Sequence, residues 1–361
     1  MTPMLEPSTP SSQNFFMPAE WEPHSSTWLA WPHNTETWKS SDLREVENVY
    51  IEIIRNLVIS ERINVLVNDE STQSKITSLL HFNQLNAKRI HFHKIMTNDA
   101  WIRDFGPNFV VLESSTGRQL AINRWHFNSW GQKYAWEKDN EANDKIVRES
   151  KLTWFDPKIV LEGGAIDVNG RGTCLTTSSC LLNTNRNGSL STEKMEVYLK
   201  SYLGIENIIW LDGILKGDDT DGHVDNLARF VSPTTIVYIS EKDKNDENYL
   251  GLKGIEETLK EASDRDGKPF VVIPLPLPRA IKDQNFRFPA SYANFYIGNN
   301  AVLVPTFNDP NDRVAQEILK RCFPGKKIAP IDSRILIKGQ GGVHCITQQQ
   351  PKHSSSKCQY S

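Results

Sequence analysis

Three observations predict an α/β or α+β chain with many short strands. Apolar runs of three to five residues recur along the sequence, most of them alternating with stretches whose apolar residues repeat at helical spacing. Asn-Gly, Gly and Pro signals punctuate the boundaries. Val46, Val49, Tyr50, Ile53, Ile54 and Leu57 share one helical face, behind Asp42 as N-cap with Glu45 three residues on. Ile63, Val65 and Val67 alternate as a strand does, and 108–112 reads as another. Residues 165–168, Asn169-Gly170 and 173–176 form a hairpin signal. A helix near 192–203 precedes a short strand at 208–211, and one near 249–262 precedes a strand at 270–273. The strand 301–304 leads into a helix that Asp309 is placed to cap, with Pro310 in its first turn.

At 361 residues with 38% hydrophobic and 24% charged, the chain is long and apolar enough to build a sizeable core, which excludes global disorder. A net charge of −3 gives no bulk attraction to nucleic acid or anionic lipid. No apolar run approaches a membrane span. Residues 1–16 hold neither Lys nor Arg and read as a flexible arm, not a signal peptide; 352–361 read as a flexible tail. The five cysteines form no CxxC pair. This argues against a disulfide framework or a structural zinc site and favours a reducing cytoplasm. No Walker loop or GxGxxG follows a strand, so nucleotide binding lacks its main support.

Four motifs carry ionisable or nucleophilic groups. The first, Asn98 to Pro107, holds Trp101, Arg103 and Asp104; alone it reads as a turn in which Arg103 pairs locally. The second is Glu162-Gly163-Gly164, where paired glycines let backbone approach a carboxylate. The third, Lys216 to Asp225, has four Asp between 218 and 225 around His223. Such runs are usually solvated loops, but His223 and Asp225 share a face in extended chain, the unit general acid–base catalysis needs. In the fourth, Cys345 follows His344 and the Gly-rich run 339–342. Cys174, Cys180 and Cys322 read as inert buried thiols and Cys358 as an incidental tail thiol. His223, Asp225, His344 and Cys345 make only a weak zinc pattern.

Spacing links the four. Glu162 follows Asp104 by 58 residues, His223 follows Glu162 by 61, and Cys345 follows His223 by 122, twice 61. A ring of similar α/β units would bring such loops together at its axis, one unit being skipped. No self-similarity between the units is visible in the sequence.

The segment from Met17 to His24 (MPAEWEPH), the run Trp28 to Pro32 (WLAWP) and the four motifs in order resemble the agmatine deiminases of the guanidine-modifying superfamily. The resemblance implies the pentein fold, a five-bladed α/β propeller of ββαβ units with pseudo-fivefold symmetry, as one catalytic domain over 17–351. It also implies hydrolysis of agmatine to N-carbamoylputrescine and ammonia in polyamine metabolism. Position by position, Cys345 matches the nucleophile, His223 the general acid and base, and Asp104 and Asp225 the carboxylates that bind the guanidinium. Glu162 matches a carboxylate that orients His223, and Trp101 the wall of the guanidinium pocket. The resemblance implies no metal and no organic cofactor. The dicationic substrate suits the acidic loop, where Asp218, Asp219 and Asp221 could supply a negative field and Asp219 is the candidate for substrate binding. The expected partner is this small molecule, not nucleic acid or membrane, and a homo-oligomer is admitted.

Two positions depart from the family pattern: Gly339-Gln340-Gly341-Gly342-Val343 before His344-Cys345, and Arg124 where an acidic residue is usual. An Arg in or near the cleft would weaken amine binding or admit a carboxylate. The rival readings are a deiminase of peptidyl arginine or another arginine derivative, an amidinotransferase, and a non-catalytic polyamine-binding protein. The last predicts a lost nucleophile or histidine, and both are present.

Overall fold

The computed structural model describes residues 8–354. The expected alternation takes one local form, repeated five times. Two antiparallel strands are followed by a helix that returns the chain to a third strand, parallel to the second. The strands are Asn108–Ser114, Gly117–Asn123 and Thr153–Phe155 in one sheet; Ile166–Val168, Thr173–Thr177 and Asn207–Leu211 in the next. Then come Ala228–Ser232, Thr235–Ser240 and Val271–Pro276, and Tyr296–Ile297, Ala301–Thr306 and Lys327–Asp332. The remaining sheet takes its first strand from the far end of the chain. Gln348–Pro351 pairs antiparallel with His24–Ala30, Trp28 opposite Gln348, and Arg62–Val67 and Ile90–Lys94 follow in parallel.

The crossover helices bury one face each. Leu43–Leu57 puts Val46, Tyr50, Ile53, Ile54 and Leu57 into the core, and Thr192–Leu203 buries Met195, Leu199 and Leu203. The middle strands Thr173–Thr177 and Ala301–Thr306 are buried on both faces along most of their length, which explains runs such as Val302-Leu303-Val304.

Two helix starts differ from the sequence reading. Asp42 stands at the N-cap of Leu43–Leu57 but makes no capping bond, because its backbone is helical and its carboxylate takes the Lys338 ammonium at 3.1 Å. Asn311–Cys322 begins one residue late: Pro310 is the N-cap, and Asp309 accepts the Asn311 N–H at 2.9 Å.

Of the arm expected over 1–16, residues 1–7 lie outside the described residues. Residues 8–16 lie against the body: Phe15 is buried and Phe16 bridges to Val111. Of the tail, 355–361 with Cys358 lie outside the described residues, and Ser354 N–H donates to Arg118 O at 2.9 Å. Among the described residues, no helix is long and apolar enough to cross a membrane.

Candidate active site

Each unit carries its polar chemistry on the turn just before its first strand. Asp104 precedes Asn108–Ser114, Glu162 precedes Ile166–Val168, His223 and Asp225 precede Ala228–Ser232, and Cys345 precedes Gln348–Pro351. These turns gather at one place. A cavity of about 230 Å³ is lined by Trp101, Asp104, Trp130, Asp219, Thr220, Gly341 and Cys345, together with Thr37, Asp99, Tyr134 and Lys338. His223, Asp225 and Glu162 are fully buried. All five residues expected to do chemistry are therefore brought together, and Trp101 and Asp219 lie in the wall.

Close packing at Gly164 lets them meet. A Cβ there would lie 2.5 Å from His223 Nδ1, 2.9 Å from Asp104 Oδ1 and 3.0 Å from Asp225 Oδ2, so only glycine fits between the three. Its N–H donates to Asp104 Oδ1 at 3.0 Å, and Trp130 Nε1 donates to Oδ2 at 3.0 Å. His223 Nδ1 lies 3.7 Å from Asp104 Oδ1 and Nε2 lies 3.8 Å from Glu162 Oε2, ion-pair distances too long for direct hydrogen bonds.

Burial pushes the Asp104 carboxyl up, to about 6; the neighbouring Asp225 and Glu162 charges add to this and His223 opposes it. Burial alone would strip the proton from His223, but Asp104, Cys180 and Glu162 around it hold its pKa well above the ordinary imidazole value. Burial also opposes charge on Glu162 and Asp225. Arg186 reverses this at Glu162 and His344 at Asp225, and both carboxyls end below their ordinary range. The Cys345 thiol goes the other way: burial first, then the charges of Asp225 and Asp104, raise it far above an ordinary thiol.

Several partners were not legible in the sequence. Asn294 fills the unit that the spacing skipped. It stands just before Tyr296–Ile297, and its amide donates to Cys345 Sγ at 3.3 Å while its Oδ1 accepts the His344 N–H at 2.9 Å. A Ser-Tyr-Ala-Asn turn before a short strand is its only sequence signal. His344 bridges two carboxylates: Nδ1 is 2.7 Å from Asp225 Oδ2 and Nε2 is 2.8 Å from Glu20 Oε2. Arg103 does not pair locally. It reaches Gln349 Oε1 at 2.7 Å and Glu20 Oε2 at 3.2 Å, and its N–H donates to Cys345 O at 3.1 Å.

Arg124 does not face the cavity. It is buried against Asp144, with Asp156 at 3.6 Å and His126 Nε2 at 2.6 Å, so the expected effect on a bound amine falls away. The acidic loop is also less free than its composition suggests. Thr220 Oγ1 donates to Asp218 Oδ1 at 2.6 Å, Asp221 is engaged by Arg186 and Lys133, and Asp219 Oδ2 accepts Tyr134 OH at 2.7 Å. Of the carboxylates in this loop, only Asp219 lines the cavity.

Glu162, Cys180 and His223 place ligand-type atoms within 4.8 Å of one another. Arg186 Nε already bonds Glu162 Oε1 at 2.7 Å, and Nη2 lies 3.9 Å from Cys180 Sγ. A divalent cation would sit beside a fixed guanidinium, so the donor set does not suit one.

Residues 16–351 match the family model described as Porphyromonas-type peptidyl-arginine deiminase. An agmatine deiminase of Pseudomonas aeruginosa is 34% identical over 368 residues, covering 95% of this chain and 97% of its own. The solved agmatine deiminase of Enterococcus faecalis superposes with a TM-score of 0.88 at 31% identity, over 96% of this chain and 99% of its own. That of C. jejuni with substrate bound gives 0.84 at 34%, over 94% and 96%. Fold and site define an α/β enzyme of the deiminase class. Within that class, the chain belongs to the Porphyromonas-type peptidyl-arginine deiminase family.

Proposed function

We propose that the chain is an agmatine deiminase, hydrolysing agmatine to N-carbamoylputrescine and ammonia. One observation carries the reading: the Cys345 thiol lines a small cavity where two buried carboxylates, Asp104 and Asp225, both act on it electrostatically. A planar cation placed between them offsets both charges, lowers the thiol pKa and presents its carbon to sulfur. The same name borne by relatives over nearly full length supports the choice of agmatine.

The thiolate of Cys345 attacks the guanidinium carbon. A C–S bond forms, the C=N pair moves to nitrogen, and the adduct is neutral. His223, as imidazolium, gives its proton to one nitrogen. The C–N bond breaks, ammonia leaves and an S-amidino cation remains. His223, now neutral, takes a proton from water, whose oxygen attacks the same carbon. The C–S bond then breaks, the hydroxyl proton of the adduct passes to the departing sulfur, and the substituted urea and the Cys345 thiol are released. As the next substrate cation binds, the thiol loses this proton to solvent, where ammonia takes it up. Asp104 and Asp225 hold the guanidinium nitrogens, Glu162 keeps His223 charged and oriented, and Trp101 walls the pocket. Asp219 meets the distal ammonium.

The five repeated units are read as the blades of a propeller about a pseudo-fivefold axis, closed by the pairing of Gln348–Pro351 on His24–Ala30 and forming one catalytic domain over 17–351. Ammonia release from agmatine, arginine and a peptidyl-arginine substrate, with mass detection of the products, tests the function. Release from agmatine alone is expected. Release chiefly from a carboxylate-bearing substrate overturns the substrate, and release from none overturns the activity.

A further inference from the structure

Arg186 lies on the short helix Thr184–Asn187, on none of the motifs that suggested chemistry, yet its side chain is wholly buried. Its fork of donors is divided between two parts of the site. Nε donates to Glu162 Oε1 at 2.7 Å, leaving Oε2 to face His223. On the other side, Nη1 reaches Asp221 Oδ2 at 2.5 Å and Nη2 donates to Thr220 O at 2.8 Å. Thr220 is a wall residue of the cavity, and its Oγ1 accepts the His223 N–H at 3.1 Å. One planar cation thus joins the carboxylate behind the imidazole to the loop that forms the cavity wall. Asp221 is held with φ +65°, a conformation L residues seldom adopt, so the loop keeps this shape through its partners.

We propose that Arg186 is a positioning residue of the reaction, coupling the charge and orientation of the Glu162–His223 pair, through Asp221 and Thr220 O, to the Thr220 wall of the substrate pocket. This rests on His223 being the acid and base of turnover. A lysine supplies charge but cannot satisfy both arms, since only the guanidinium presents donors on two edges in fixed directions. The groups facing Glu162 and His223 are Arg186, Cys180, Asp104, Asp218 and Asp225, while Asp221 faces Arg186 and Lys133. Removing the one guanidinium from this set raises the pKa of every remaining titratable group, so pH dependence should move in a single direction.

The test uses Arg186→Gln, Arg186→Lys and Asp221→Asn in the full chain. For Asp221→Asn, which loosens only the wall arm, KM for agmatine should rise about fivefold with kcat within about twofold. Arg186→Gln should lose about 100-fold in kcat, with the kcat–pH profile displaced to higher pH. Arg186→Lys should recover kcat and the original pH profile in part, and keep the raised KM. The ring titration of His223, followed by NMR on histidine-labelled protein and assigned with His223→Asn, should also move up in Arg186→Gln. That readout holds even if agmatine proves not to be the substrate. A lower amplitude with an unmoved pH profile and an unmoved His223 titration would mean a packing role only and overturn the proposal. So would an unchanged KM in Asp221→Asn. Should Arg186→Gln fail to fold, Arg186→Lys with both wild-type KM and wild-type pH profile overturns it equally.

Discussion

Asp225 Oδ2 lies 2.7 Å from His344 Nδ1, while its Oδ1, also buried, has no hydrogen-bond partner among the described residues. A carboxylate gripped on one oxygen and open on the other is an acceptor held ready for a donor from the ligand, since an unpaired buried acceptor otherwise costs about 1–3 kcal/mol. Asp225→Asn keeps the shape and loses the charge. Steady-state kinetics on agmatine should show kcat/KM down by about 10³-fold, at the upper end for one preorganised electrostatic contact. A loss under tenfold removes Asp225 from the guanidinium site.

The same charges that hold a cation suppress the thiol. Asp104→Asn should therefore have opposite effects on two reactions of Cys345. Turnover of agmatine falls, because a guanidinium contact is lost. Alkylation by iodoacetamide at pH 8 accelerates about tenfold or more, because one charge that raises the thiol pKa is gone. Slower alkylation in the variant would contradict the electrostatic account of the site.

Asp104, pushed up to about 6, makes cation binding pH-dependent. Burial favours its protonated form in the empty enzyme, so its contribution to stability is full below the ordinary carboxylate range. That contribution is lost as pH rises through about 6. A bound guanidinium reverses the preference. With Cys345→Ala to prevent reaction, calorimetric affinity for agmatine should be flat above pH 7 and weaken towards about tenfold per pH unit well below 6. Flat affinity down to pH 5 would remove Asp104 from the contact.

Asp219 is the one carboxylate of the acidic loop in the cavity wall, and it is held by Tyr134 OH at 2.7 Å and Lys133 at 3.4 Å. Asp219→Asn should raise KM for agmatine about tenfold, near the energy of one charge-assisted hydrogen bond. It should leave KM unchanged for an alkylguanidine of the same length without the amine. Equal effects on both would place the distal ammonium elsewhere.

The five residues read from sequence as acids, bases or nucleophile share one trait: each stands within a few residues of the first strand of a repeated unit, so spacing and residue type both mark it. Asp104, Glu162, His223, Asp225 and Cys345 were legible for that reason. Asn294 has the same placement but no acid, base or thiol to flag it, and it stands 51 residues before Cys345, off the 61-residue interval. Arg186, Glu20 and His344 act through contacts across the fold, 24 residues to Glu162 in one case and 324 between Glu20 and His344 in another. No local pattern encodes such pairings. Arg124 misled because it stands where the family pattern usually has an acidic residue, while in the fold it lies just past the strand Gly117–Asn123 with its side chain against Asp144 and Asp156. The pairing of Gln348–Pro351 with His24–Ala30 joins strands far apart in the sequence, and neither strand alone announces its partner.

The central claim is that Cys345 carries the substrate carbon during turnover. Enzyme mixed with agmatine and quenched in acid within one turnover should show, by intact mass and peptide mapping, an adduct on Cys345 equal to agmatine less ammonia. Cys345→Ala should show neither adduct nor ammonia. Ammonia formed without any adduct, together with a folded Cys345→Ala that still turns over agmatine, would contradict the account.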